Sequence, residues 1–111
     1  MTNHVDLTEL DKVADGDKEF MQETLTLLVD EIPENLKNIS TYVADNDIVS
    51  LKKIVHKMKS SFMLIGMKEL WPIIQMIEKS SSNEDILNQV PAFVKICTES
   101  VEELKSMRDV I

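Results

Sequence analysis

The chain has 111 residues, of which 43% are apolar and 29% charged, with a formal net charge of -8. That length suits one domain able to bury a core without disulfides or metal. Cys97 is the only cysteine, which excludes an internal disulfide and any cysteine-rich zinc site. An acidic field of this size opposes nucleic-acid binding, where cations must displace the counterions of the phosphates.

Two glycines and three prolines leave few obligatory turns, so long helices are expected. Asp6 can cap a short first helix over Leu7–Val13, closed by the turn Asp15-Gly16-Asp17. His4, ahead of it, falls in a segment expected to be a flexible tail. From Lys18 to about Ala44, apolar residues recur at Met21, Leu25, Leu28, Ile32, Leu36, Ile39 and Val43, one side of a long helix that Pro33 bends without ending. Asp45-Asn46-Asp47 supplies the next turn and cap. Leu51, Ile54, Val55, Met58, Phe62 and Ile65 form the stripe of a helix over about Ile48–Ile65, terminated by Gly66. A third long helix is expected over about Lys68–Lys79, with Pro72 in its first turn. Ser80-Ser81-Ser82-Asn83 links it to a last helix carrying Ile86, Val90, Phe93, Val94, Cys97, Val101, Leu104 and Met107, with an irregularity possible at Pro91.

No segment shows the alternation of a strand. The expected fold is all-α: an antiparallel up-down-up-down four-helix bundle with a short extra N-terminal helix. A single domain over residues 1–111, with its core at about 6–108, accounts for the whole pattern. Residues Met1 to Asp6 carry no apolar signal core, and no apolar run approaches the roughly 20 residues of a membrane span. A cytoplasmic protein is therefore expected, with no membrane contact.

Chemistry concentrates between Leu51 and Gly66. On a helical wheel centred on Leu51 and Phe62, His56 lies roughly 140° from the core stripe, on the solvent side. The common reading of a lone histidine is a satisfied core residue, and the wheel argues against it. An idle surface histidine remains open on geometry alone. The face around His56 contains Val49, Lys52, Lys53, Lys59, Ser60 and Met63, with Lys57 further around the cylinder. Four of the twelve basic residues fall within Lys52–Lys59 of an otherwise acidic chain. The lysines could be an ordinary solvated face. Together with outward-pointing Val49 and Met63, they also fit a local positive potential rimmed by apolar contacts for a partner. A neutral imidazole can accept a phosphoryl group near pH 7. Lys59, one turn on, could balance the incoming charge. Ser60 and Ser61 are small enough to let another protein's loops reach the ring.

The spacing of His56, Lys59, Ser61, Ile65 and Gly66 resembles the signature of the histidine-containing phosphotransfer (HPt) family. That signature has His, Lys three residues later, a small pair, and Gly ten residues after the His. The segments Asp15–Phe20 and Asp30–Leu36 resemble the family's helical approach, and the likeness covers about residues 6–108. Ser60 stands where the family often has Gly, and Val55 where it often has Ala. The resemblance implies a phosphorelay intermediary that accepts a phosphoryl group on His56 from one receiver-domain aspartate and passes it to another. Lys59 would neutralise the phosphate, and Val49, Lys52, Lys53, Ser60 and Met63 would dock the partner. The implied partners are receiver domains of response regulators or hybrid histidine kinases, and they would supply the metal and the acceptor aspartate. No cofactor, no resident metal and no ATP site are expected, and a monomer is. If the helices flanking the Asp45–Asp47 turn pack antiparallel, the exposed members of Ile32, Asn35, Ile39 and Ser40 would extend the docking surface.

Three other readings compete. A metal centre in a bundle needs several inward Glu and His residues, and His4 and His56 are the only histidines, neither following a Glu at Glu-x-x-His spacing. An independent enzyme is disfavoured, since Gly16 and Gly66 are too far apart for a Gly-rich phosphate loop and Cys97, on an apolar stripe, reads as a core thiol rather than a nucleophile, while most of the seven methionines fall at core spacing. The serious alternative is a non-phosphorylated helical-bundle interaction module that binds signalling partners through the same face.

Overall fold

Short polar side chains just ahead of apolar runs decide where three of the five helices begin. The computed structural model describes residues 3–111. Asp6 accepts bonds from the Thr8 amide at 3.0 Å and the Thr8 hydroxyl at 2.6 Å, but the N-cap position of α1 (Thr8–Ala14) falls on Leu7 and has no side-chain cap, so Asp6 is not the cap that was expected. This helix starts one residue later than expected. Asp17 accepts from the Phe20 amide at 3.0 Å and opens α2 (Lys18–Ala44). Asp47 accepts from the Ser50 amide at 3.1 Å and opens α3 (Ile48–Leu64). α4 spans Leu70–Lys79 and α5 spans Asn83–Asp109. At the head of α5, Ser82 accepts from the Asp85 amide at 3.2 Å. Replacing that hydroxyl, Ser82→Ala, should cost about 1 kcal/mol, read as a fall of about 4 °C in the melting temperature.

Both internal prolines are accommodated. α2 runs through Pro33 and α5 through Pro91. The helices pack in a ring, α2 beside α3, α3 beside α4, α4 beside α5 and α5 back against α2, with α1 resting on α2 and α3. With short connections this is the expected antiparallel bundle. Its core draws Leu25, Ile32 and Ile39 from α2, Leu51, Val55 and Phe62 from α3, Ile74 and Ile77 from α4, and Phe93, Cys97 and Leu104 from α5. Phe62 and Phe93 meet edge to face, ring centres 5.8 Å apart. Burial pushes the Cys97 thiol up to about 12, so it stays protonated as a core thiol. Met21, Met58 and Met67 are buried, whereas Met63 and Met76 face outward.

Two expectations need correction. The helix expected from Lys68 begins at Leu70, because Gly66 and its neighbours form a tight turn with three-residue bonds (Leu70 N–H to the Met67 carbonyl, Trp71 N–H to that of Lys68). His4 does not lie in a flexible tail. It is only 5% exposed, Val5 enters the core, and the Asp6 amide donates to the Ile65 carbonyl at 2.9 Å. The reason is helix length. α2 and α5, at 27 residues each, run roughly 40 Å, whereas the 17 residues of α3 cover about 25 Å. The strap His4–Leu7 and α1 fill the end that α3 and α4 leave uncovered. The strap crosses Gly66 so closely that a Cβ there would sit 2.6 Å from the Asp6 carbonyl oxygen.

Candidate functional site

α3 buries one stripe, Leu51, Ile54, Val55, Met58 and Phe62, and so turns the opposite stripe outward. His56 lies on that outward stripe with its side chain 71% exposed. Val49 and Met63, seven residues to either side, are exposed as the wheel requires, as are Lys53 and Ser60. Val55 is fully buried.

The neighbours of the imidazole are not all those the sequence suggested. Its Nδ1 lies 2.7 Å from Oε2 of Glu78, near the end of α4. Lys59 Nζ donates to Oε1 of the same carboxylate at 2.9 Å. Glu78 therefore ties His56 and Lys59 together from the adjacent helix. A carboxylate only accepts, so Nδ1 carries a proton, and in the neutral ring Nε2 then holds the lone pair. Among the described residues Nε2 has no hydrogen-bond partner. The bonds from His56 and from Lys59 hold Glu78 below the usual carboxylate range despite slight burial. The link is complete above the ordinary value of 4.5 and is lost only as pH falls through the lowered folded value.

Lys52 turns toward the α4–α5 linker and donates to the Ser80 carbonyl at 2.9 Å. It still borders an open depression with Lys53, His56 and Glu78. On the other side of the histidine, Lys53 and Lys57 line a shallow groove between α2 and α3 with Asn35, Asn38 and Tyr42. Of the α2 residues proposed to extend the surface, Ile32 and Ile39 are excluded at 2% and 0% exposure, being part of the core stripe. Asn35 is half-buried at the groove and Ser40 is exposed. Among the described residues no group of three or more His, Cys, Asp or Glu is arranged to hold a metal ion.

Glu78 is the residue that sequence reasoning missed. It stands 22 residues from His56, so only the register of the α3–α4 hairpin brings them together. One signal was available: Glu78 is the only acidic residue in α4, the helix packed against the lysine-rich α3.

The family model of the Hpt domain matches residues 23–109, from the first turns of α2 to the end of α5. The chain belongs to the Hpt domain family, the histidine phosphotransfer domains of two-component signalling. Domains of this family are phosphocarriers that work with receiver domains, not enzymes on their own. Comparison with curated proteins and comparison with solved structures each found no match. No helix among the described residues is long and apolar enough to cross a membrane.

Proposed function

We propose that His56 is the phosphorylated residue and that the protein relays a phosphoryl group between receiver-domain aspartates. The observation that carries this reading is the Glu78 carboxylate bonded to Nδ1 of His56 and to Lys59 at once. Holding the proton on Nδ1 leaves the Nε2 lone pair directed away from Glu78, as a nucleophile needs. Nε2 attacks the phosphorus of a receiver's aspartyl phosphate. The N–P bond forms, the P–O bond to the aspartate breaks, and the aspartate leaves as a carboxylate. The ring, still protonated at Nδ1, becomes cationic, and Glu78 balances that charge. Lys59 neutralises the phosphoryl oxygens, and the reverse sequence passes the group on.

Val49, Lys52, Lys53, Ser60 and Met63 form the docking face on this reading, with Lys53 offered to the acidic pocket of a receiver. The partner brings the divalent cation and the aspartate, and the carrier needs no ATP site. The working unit is the chain from the strap to the end of α5, since strap, α1 and bundle share one core.

Mixing the protein with a phosphorylated receiver should place label on it that is lost in acid and kept in base. A wild-type protein that takes up no such label from any cognate receiver would leave the face as a docking module without transfer. Glu78→Ala should leave acceptance possible but slow. Losing a hydrogen bond to a charged group, about 1.5–3 kcal/mol, corresponds to roughly ten- to hundred-fold in the single-turnover rate. Glu78→Gln, which keeps an acceptor for the Nδ1 proton, should recover part of that loss.

A further inference from the structure

His56 accounts for one histidine; the other is held more tightly. The His4 backbone amide donates to both oxygens of Glu103 at 2.8 and 3.0 Å, and the Val5 amide to Oε1 of Glu103 at 3.2 Å. The His4 ring lies between two further carboxylates, Nδ1 at 2.5 Å from Glu69 Oε1 and Nε2 at 3.1 Å from Glu99 Oε1. Glu69 comes from the turn ahead of α4, and Glu99 and Glu103 sit one turn apart on α5. Among the described residues these three carboxylates are the charged groups that face the ring. The strap itself precedes the stretch shared with the family.

A carboxylate cannot donate, so both ring nitrogens must carry protons for both contacts to be hydrogen bonds. The ring is then an imidazolium, itself buried and flanked by carboxylates that reach solvent. Removing a proton turns one nitrogen into an acceptor pointed at an acceptor. It also leaves the three carboxylates to repel one another with no positive charge between them. We propose that His4 is a proton-operated clasp: charged, it pins the N-terminal strap to α4 and α5, and neutral, it lets the strap go. Burial by itself would lower the His4 value, but the bonds to Glu69 and Glu99 and the fields of Glu69 and Glu103 prevail and raise it above 6.5. Because the docked value is the raised one, the clasp is complete below 6.5. Its docking constant then falls, by at most about tenfold per pH unit, until the docked value is passed.

The strap has two built-in reporters. The Asp6 amide, bonded to the Ile65 carbonyl, reads docking through hydrogen exchange. Trp71, the only tryptophan, lines a groove with Asp6, Thr8, Met63 and Gly66 and reads it through fluorescence. Exchange protection of Asp6, taken relative to the Val101 amide in α5 to cancel base catalysis, should fall as pH rises above 6.5, by at most about tenfold per pH unit, and level off once the docked value is passed. Trp71 emission should change over the same range. Both transitions should persist in His56→Gln and vanish in His4→Gln. Should His4→Gln fail to fold, Glu99→Gln serves instead and should move both transitions to lower pH. A protection ratio that stays constant from about pH 6 to about 9 overturns the clasp, as does a decline of equal size in a folded His4→Gln. Neither readout involves phosphoryl transfer, so the outcome is independent of the role proposed for His56.

Discussion

His56→Gln abolishes phosphoryl acceptance while leaving the bundle intact. Removing the nucleophile itself should lower transfer by more than about a thousandfold, because the remaining groups only position and neutralise charge. Glutamine still offers an amide donor to Glu78, so the link to α4 is largely preserved. The side chain is 71% exposed, and substitutions at such positions usually change stability by less than about 0.5 kcal/mol. Loss of acid-labile label with an unchanged thermal melt is the expected pair of results. Label that persists on the variant at the wild-type rate would falsify the assignment of His56.

Gly66→Ala should be the most destabilising single-methyl change in the protein. Gly66 has φ +64°, a left-handed conformation that costs a non-glycine residue roughly 1–3 kcal/mol. The added Cβ would also meet the Asp6 carbonyl oxygen at 2.6 Å and the Asp6 Cβ at 2.8 Å. Overpacking of this kind costs roughly another 1–3 kcal/mol. Gly16→Ala isolates the first effect, since Gly16 has φ +86° but nothing within 4 Å of an added Cβ. Denaturant unfolding should therefore show the larger loss at Gly66, and exchange protection of the Asp6 amide should drop in Gly66→Ala alone. Equal losses at both glycines would show that strain, not the crossing strap, sets the requirement.

Much of the fold was legible because local signals coincided. The caps at Asp17, Asp47 and Ser82 each stand directly before an apolar run of helical period, and the observed helices begin there. The outward position of His56 followed from the same periodicity, since five buried residues of α3 define its opposite stripe. The start of α4 was less legible, because three-residue turn bonds ahead of Leu70 leave no trace in hydrophobic spacing. Glu69 stands at the N-cap position of α4 but its side chain bonds to His4 and caps nothing. Burial of His4 could not be read from its polar neighbours. It depends on how far α3 and α4 extend along α2 and α5, a property of the assembled bundle. Ile32 and Ile39 were rightly placed on the core stripe, and for that reason they drop out of the docking surface. Gly66 was read as a helix terminator in a family signature, whereas the backbone of Asp6 crossing it supplies a second requirement that no spacing within α3 reveals.

The α3–α4 hairpin holds the imidazole–carboxylate pair near its open end and the strap crossing at its tip. About 12 Å of helix, from His56 to Leu64, and the turn beyond it separate the ring from Gly66. Damage at the tip thus changes how many molecules are folded without retuning the ring in those that are. In this domain abundance and chemical competence are inherited from different ends of one element, so a variant can lose either and keep the other.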